Sequence, residues 1–536
     1  MKHSSKVSRI ISITLVFAML LLGCGDGEEK VASQPDMTDD NYRVFYQIFV
    51  GSFSDSNGDG IGDIRGIINR LDYLNDGNVL SEESLGVQGI WLSPIFNSPS
   101  YHKYDAADYY EIDEDFGTEE DLRELIALCH ERNVKVILDL AINHTSSSNI
   151  WFQKFTSAHK AGDTSDPYYD FYSWVAKEDM VGGIAYNTIP GASGQYYECN
   201  FSGDMPELNF DNERVREEML RVAKYYLDLG IDGFRFDAVK YIYYNKTQES
   251  VDFWNWYMAE LKAYRPDIYC VGECWSGDSE TLQYIEALNC FNFQMAQGEG
   301  QIANVTKGSQ IDNFTNYVEV YQKQVKEKNP EGMMASFLAN HDMDRAAGYM
   351  TVASKMAYMA ANIYLFTPGT QFIYYGEEIG LKGSRGGANT DANRRLAMLW
   401  GDEDTIKDPV GTTYARSKQT NGTVAEHREN EEGLLRYYSK VLTIRNTYPE
   451  IPRGDYKALS FGEARFGGFL ITYNEEQTVL LHNTSGNNAI EIDLTKCADF
   501  PDAEMKIAEV IGQGKAKLDG ATLTLDPFTT VILKGN

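Results

Sequence analysis

Residues 231–240 read Ile-Asp-Gly-Phe-Arg-Phe-Asp-Ala-Val-Lys, and the fold is read outward from this stretch. Ile231–Ala238 is an apolar strand candidate whose end carries a charged pair, Arg235 and Asp237. Amphipathic stretches of helical period, Glu213–Leu229 and Val251–Ala263, flank it. The same alternation runs from residue 42 onward. Further strand candidates are Val44–Val50, Val87–Ile95, Val134–Leu140, Ile268–Glu273, Cys290–Met295, Ser336–His341 and Gln371–Tyr375, with Glu119–Arg132 and Asn313–Lys326 among the helices. Eight βα steps over about 400 residues exceed the ~250 of a bare barrel, so insertions are expected. One is Thr145–Glu207, Gly- and aromatic-rich and poor in helical period; a second irregular stretch is Gly380–Asn430. After a last helix near Gly433–Thr447 come short alternating runs such as Gly468–Tyr473, Thr478–His482, Ile490–Leu494 and Thr529–Leu533. The expected fold is α/β. It comprises a (β/α)8 TIM barrel over 42–144 and 208–450, a domain inserted after strand 3 over 145–207, and a C-terminal antiparallel β-sandwich over 451–536.

Composition agrees. Of 536 residues, 43% are hydrophobic and 24% charged, enough to bury a core and to exclude a disordered or collagen-like chain. Lys plus Arg number 48 against 79 Asp plus Glu, a net charge of −31, which repels phosphate backbones. No nucleic-acid partner is expected, and neutral partners remain open. Seven cysteines show no zinc-site spacing with nearby histidines, and Cys270 and Cys274, in an apolar run, read as buried thiols.

The N-terminus reads as a leader. Lys2, Lys6 and Arg9 precede the apolar run Ile10–Leu22, whose 13 residues are too few for a mature span but suit a signal peptide. Leu21-Leu22-Gly23-Cys24 resembles a bacterial lipobox, which implies cleavage before Cys24 and lipid on its thiol; the alternative is an ordinary signal peptide. Residues 25–41 are polar and acidic and read as a flexible tether. The expectation is an exported protein, lipid-anchored to the bacterial membrane or cell surface, touching membrane through that lipid only.

In such barrels reactive groups cluster at the C-terminal ends of the strands. Those ends carry Asp139 with Asn143-His144, Arg235 with Asp237, Glu273, and His341-Asp342. Carboxylates at apolar strand ends are costly unless paired, metal-bound or functional. Three that can converge on one mouth suit glycoside hydrolysis with retention, which needs a carboxylate nucleophile and a protonated acid about 5–5.5 Å apart. Arg235, two residues from Asp237 on a strand, faces the same way and can hold it ionised with a lowered pKa. Glu273, between Gly272 and Cys274-Trp275, sits in a drier setting that favours the protonated form. Asp237 is thus the expected nucleophile and Glu273 the acid/base.

Four stretches, Asp139-Leu-Ala-Ile-Asn143-His144, Gly233-Phe-Arg235-Phe-Asp237-Ala-Val-Lys240, Val271-Gly-Glu273-Cys-Trp and Phe337-Leu-Ala-Asn340-His341-Asp342, resemble in order and spacing the signature regions of the α-amylase family, glycoside hydrolase family 13. The resemblance covers about residues 42–536 and implies a barrel, an inserted domain B and a C-terminal β domain. It implies that Asp342 grips the sugar 2- and 3-hydroxyls and that His144, Arg235 and His341 surround the −1 sugar. It also implies that Tyr104 is the platform beneath that sugar, although Lys103 stands where the family commonly has Gly. Asp391 and Arg395 match an Asp-x-x-x-Arg pair closing the far side of the −1 subsite. Lys240 resembles a leaving-group contact, with Tyr241 where His often follows.

Asp55-Ser-Asn57-Gly-Asp59-Gly-Ile61-Gly-Asp63 puts oxygen ligands at alternate positions around a glycine, as in an EF-hand loop, but position twelve is Gly66. Asp55, Asn57, Asp59, the Ile61 carbonyl and Asp63 are the expected ligands of Ca²⁺, and the family often has a structural calcium in this loop. Asn143 resembles a ligand of a second calcium between domains A and B.

Met205-Pro206-Glu207-Leu208-Asn209 resembles the domain-B marker of members intermediate between oligo-1,6-glucosidases and neopullulanases, with Glu where Asp is usual. The expectation is a monomeric, retaining, endo-acting α-amylase on internal α-1,4 bonds of a starch-like α-glucan. The alternatives are an exo-acting α-glucosidase, oligo-1,6-glucosidase or neopullulanase-type enzyme on maltooligosaccharides and, from another class, a non-catalytic glucan-binding lipoprotein.

Overall fold

The structure, a computed structural model, describes residues 40–535 apart from 79, 80 and 82; the leader, Cys24 and residues 25–39 of the expected tether lie outside the described residues. Asp40 and Asn41, read as tether, belong to the folded unit. The Asp40 carboxylate accepts from Arg453 at 2.8 and 2.9 Å, and the Asn41 carbonyl accepts from Thr370 Oγ1 at 3.1 Å.

Eight parallel strands form the centre: β1 (Val44–Ile48), β2 (Gly89–Leu92), β3 (Lys135–Leu140), β4 (Gly233–Phe236), β5 (Tyr269–Gly272), β6 (Asn289–Cys290), β7 (Ala335–Phe337) and β8 (Thr370–Tyr374). Their hydrogen-bonded order is β6-β5-β4-β3-β2-β1-β8-β7, and the Phe291–Ala335 bridge with Asn292 N–H on the Ala335 carbonyl (2.8 Å) joins the two ends into a barrel. Several ladders are shorter than the apolar runs that announce them. Cys290–Met295 contracts to Asn289–Cys290 and Ser336–His341 to Ala335–Phe337, because the residues past each ladder leave the sheet to build the mouth.

All eight strands except the edge of β6 are buried end to end, as a sheet covered on both faces must be. Phe45, Trp91, Ile137, Tyr269, Phe291, Phe337 and Phe372 fill the interior, with Phe45 between Tyr269 (5.1 Å) and Phe372 (5.4 Å). A Cβ at position 89 would come within 2.4 Å of the Phe45 ring, so only glycine leaves room for it. Outside, helices turn an apolar face inward. Glu119–Glu131, opened by a Thr118–Asp121 capping box, buries Leu122, Leu125, Ile126 and Cys129, each large aliphatic contributing roughly 1.5–3 kcal/mol.

Between β3 and β4 lies a sheet of Trp174–Ala176, Gln195–Glu198 and Tyr186–Thr188. The segment, read as poor in helical period, also holds the helix Ile150–Ala161, started by Asn149 and stopped by Gly162 in the left-handed region. Its buried face, Phe152, Phe155, Ala158 and His159, is aromatic and short, which hides the period. Bridges His144–Glu207 and Tyr172–Leu208 tie the insertion to the barrel.

The C-terminal region packs a five-stranded antiparallel sheet against a three-stranded one around Leu459, Phe466, Val479, Leu481, Leu523, Leu525, Val531 and Leu533. Cys129, Cys199, Cys270, Cys274, Cys290 and Cys497 are free and buried. Among the described residues no helix is long and apolar enough to cross a membrane.

Candidate active site

Arg235 is fully buried on β4 and is the hub of the mouth. Its Nη1 donates to Asp139 Oδ1 (2.8 Å) and Asp237 Oδ1 (2.6 Å), and its Nη2 lies 3.2 Å from Glu273 Oε1. Three strands, β3, β4 and β5, thus deliver one carboxyl each to one guanidinium. Sequence spacing alone pairs Arg235 with Asp237; the barrel adds Asp139 and Glu273.

That sharing corrects one expectation. The Asp237 pKa is raised, not lowered: burial outweighs Arg235, and Asp342 pushes the same way. Glu273 is pushed up to about 7 by burial, with Asp237 and Asp342 adding to the rise against the pull of Arg235. The guanidinium contact is shorter at Asp237 than at Glu273, so geometry favours the anion on Asp237 and the proton on Glu273. Ala238, just past Asp237, adopts φ +52°, and its N–H donates to Glu273 Oε2 at 3.1 Å.

Asp342 sits beyond β7 under different control. His341 Nε2 lies 2.9 Å from its Oδ2 and Arg395 Nη2 2.7 Å from its Oδ1. The His341 contact and the Arg395 guanidinium hold it far below the usual carboxylate range despite burial. Gln47 Nε2–H faces His341 Nδ1 at 2.7 Å, which leaves the ring's other nitrogen to donate toward Asp342.

Tyr104 donates to Asp139 Oδ2 at 2.8 Å and stacks on His341 with ring centres 5.3 Å apart. Asp139, also bound by Trp91 Nε1 (3.1 Å), has its pKa raised to about 6 by burial. Lys103 takes φ +62°, the conformation glycine would favour there, and its buried ammonium lies 2.8 Å from Asp113. His144 is buried and kept neutral, its pKa lowered to about 4 by desolvation. Its Nε2 is buried with no hydrogen-bond partner among the described residues, and the residue lines the central cavity. Lys240 Nζ donates to the Trp275 carbonyl at 2.8 Å.

Asp391 and Arg395 both line the cavity but do not pair with each other. Asp391 is held by Arg394 (2.9 Å) and Arg385 (3.2 Å), while Arg395 is committed to Asp342. The cause is local: Asp391–Arg394 is a 3-10 turn, which aligns residues three apart rather than four.

The cavity these residues enclose measures about 760 Å³. It also contains Tyr101, Phe201, Tyr241 and Trp275, which the sequence reading leaves without a role. Phe201, from the insertion, packs on His144 (5.0 Å) and Tyr241 (4.7 Å). Phe201 and Trp275 are 44% and 43% exposed, large apolar surfaces at the edge of a polar cleft.

The Asp55–Asp63 loop is closed on its own amides. Asp55 accepts from the N–H groups of Asn57, Gly58 and Gly60 and from Thr405, and Asp63 accepts from Ser56 and Gly66. The donors are hard oxygens suited to Ca²⁺, and no described residue donates to the Ile61 carbonyl, which leaves it free for a cation. Among the described residues, however, no three acidic, His or Cys side chains converge as a metal cluster, at this loop or around Asn143. Asn143 is buried near Glu207, whose own carboxyl is raised to about 7 by burial.

Residues 47–454 match the Alpha-amylase family model, described as the alpha amylase catalytic domain. "Alpha-amylase 3" of Dictyoglomus thermophilum is 33% identical over 92% of this chain and 93% of its own length. A "4-alpha-glucanotransferase" of Thermotoga maritima is 33% identical over 83% of this chain and 97% of its own. The solved structure of Eubacterium rectale Amy13B superposes with TM-score 0.86 at 34% identity, covering 94% of this chain and 97% of that one.

Proposed function

The chain belongs to the α-amylase family and is a glycoside hydrolase, and from that premise we propose that it is a retaining endo-acting α-amylase cutting internal α-1,4 bonds of starch-like glucans. In this reading Asp237 attacks the anomeric carbon and forms a glycosyl ester, while Glu273 gives its proton to the departing glycosidic oxygen. Glu273, now ionised, takes a proton from the water that cleaves the ester. Asp342, held ionised by His341 and Arg395, accepts from the sugar 2- and 3-hydroxyls. Tyr104 lies beneath the −1 ring, and His144 offers its free nitrogen to the same sugar. Lys240, Tyr241, Phe201 and Trp275 receive the leaving-group side; Asp391 contributes to the opposite wall.

The observation that carries the endo reading is the solvent-exposed rim of the catalytic cavity. Phe201 and Trp275 stand open on the side of Lys240 and Glu273. Arg385, its side chain 44% exposed, stands on the same rim beside Asp391. A polymer needs such an open rim, whereas an exo-acting enzyme needs a blind pocket. The test is product analysis over time on amylose. Mixed maltooligosaccharides at the earliest points are expected; glucose alone from the start overturns the endo reading in favour of the exo-acting α-glucosidase.

Asp55, Asn57, Asp59, the Ile61 carbonyl and Asp63 would hold Ca²⁺, which would pin the loop after β1. The leader and Cys24 support export and lipid anchoring, where a tethered enzyme meets polymer. The acidic charge suits a neutral glucan rather than a nucleic acid, and a monomer suffices for the site.

A further inference from the structure

A second hollow, of about 520 Å³, adjoins the catalytic cavity and shares Trp275, Asp342, Arg385 and Arg394 with it. Its own wall is built from the loops after β6 and β7, with Gln297, Glu299 and Tyr349. We propose that this hollow receives an α-1,6-linked glucosyl branch of the glucan whose main chain lies in the catalytic cleft. The inference rests on the α-1,4-glucan reading above and extends it to branched substrate.

Continuity comes first. A branch is covalently attached to the main chain, so its site must adjoin the cleft, and four shared lining residues place the hollow directly beside it. The shared rim spans Trp275, next to the proposed acid, and Asp342, so it faces the sugars that flank the scissile bond.

The chemistry of the wall matches a neutral sugar. One face of Trp275 is stacked on Phe293 (5.1 Å, 15°), and no other described ring stacks on it. The exposed indole offers flat apolar surface, while Gln297, Glu299 and Asp344 offer acceptors for hydroxyls. The volume falls within the ~300–1,000 Å³ of small-molecule sites.

The hollow is also held in shape. Asp344 Oδ1 takes Arg394 Nε (2.8 Å) and the Arg385 N–H (2.9 Å), fixing this side of the shared rim. Gln297 lies at φ +70°, a left-handed conformation unusual for a residue with a side chain. It is kept there by its N–H on the Leu338 carbonyl (3.0 Å), while Lys307 Nζ holds the next carbonyl, Gly298, at 2.7 Å. Strain maintained by surrounding bonds at the rim of a cleft points to a shape that matters.

The experiment compares linear maltoheptaose with maltoheptaose carrying one α-1,6-glucosyl branch, using wild type, Glu299→Trp to fill the hollow, and Gln297→Gly to remove an amide while relaxing the backbone. Wild type is expected to cleave both. Glu299→Trp is expected to lose about tenfold or more in kcat/KM on the branched substrate and to stay within about twofold on the linear one. Gln297→Gly shows the same selectivity to a smaller degree and carries the comparison if the bulkier variant does not fold. Wild type that cuts the linear chain but not the branched one, or variants that slow both equally or neither, overturn the branch site alone. Wild type inactive on linear maltoheptaose overturns the α-1,4 reading itself, and the branch site with it.

Discussion

Arg235 Nη1 lies 2.6 Å from Asp237 Oδ1 at the floor of the mouth, and the same nitrogen lies 2.8 Å from Asp139. One buried cation therefore balances a carboxyl from each of three strands. Arg235→Met removes the cation and leaves those acids packed together without it. Turnover is expected to fall by about 10³ or more, since the proposed nucleophile loses the charge that keeps it ionised. Stability is expected to drop by ~3–5 kcal/mol, the cost of uncompensated buried charge. Steady-state kinetics and urea unfolding check the two parts.

Glu273, held at about 7, sets the alkaline limit if it is the proton donor. The donor works only while protonated, so kcat/KM should fall as pH rises through about 7. Glu273→Gln should lower turnover by several orders of magnitude, retain glucan binding, and abolish that limb in the residual rate. Unchanged activity in the variant refutes the assignment.

The strand end at Arg235 and Asp237 is legible in sequence because both lie on one short run with a period of two. What Arg235 touches beyond that run is not, because Asp139 and Glu273 reach it only when β3 and β5 flank β4. Trp275 and Phe201 fail for another reason. An exposed aromatic in a loop has no period, and only its position over the cleft distinguishes it. That Asp391 pairs with Arg394 is not legible either, since a 3-10 turn and an α-helical turn cannot be told apart from Asp-Ala-Asn-Arg-Arg. The insertion's helix is hidden because its buried face is made of rings in a segment already rich in them.

The Asp55–Asp63 loop gives a metal prediction. Asp55, Asp59 and Asp63 share one nine-residue loop, and a divalent cation drawing their oxygens together would fix the chain that caps the following helix through Asp63. Protein stripped with EDTA should melt at a higher temperature when Ca²⁺ is restored, and Mg²⁺, smaller and slow to shed water, should do less. Asp59→Asn should weaken the Ca²⁺ effect. A melting temperature indifferent to Ca²⁺ means that the loop stands on its own hydrogen bonds.

Behind the mouth, Glu377 and Glu378 are buried side by side after β8. Tyr364 and Tyr438 donate to Glu377, and Tyr46 and Tyr73 donate to Glu378. Burial nevertheless raises both carboxyls, Glu377 to about 8, so the folded protein holds a proton there that the unfolded chain releases near its ordinary value. Between those values the native state binds more protons than the unfolded state, and stability must decrease as pH rises. Above about 8 this group's loss is complete and its contribution flattens. Glu377→Gln keeps a carbonyl acceptor for the tyrosines and cannot ionise. Its melting temperature should therefore fall less than that of wild type between about pH 5 and 8. Parallel curves for the two proteins would show that Glu377 is already ionised when folded, with the tyrosine hydroxyls and Arg345 outweighing burial.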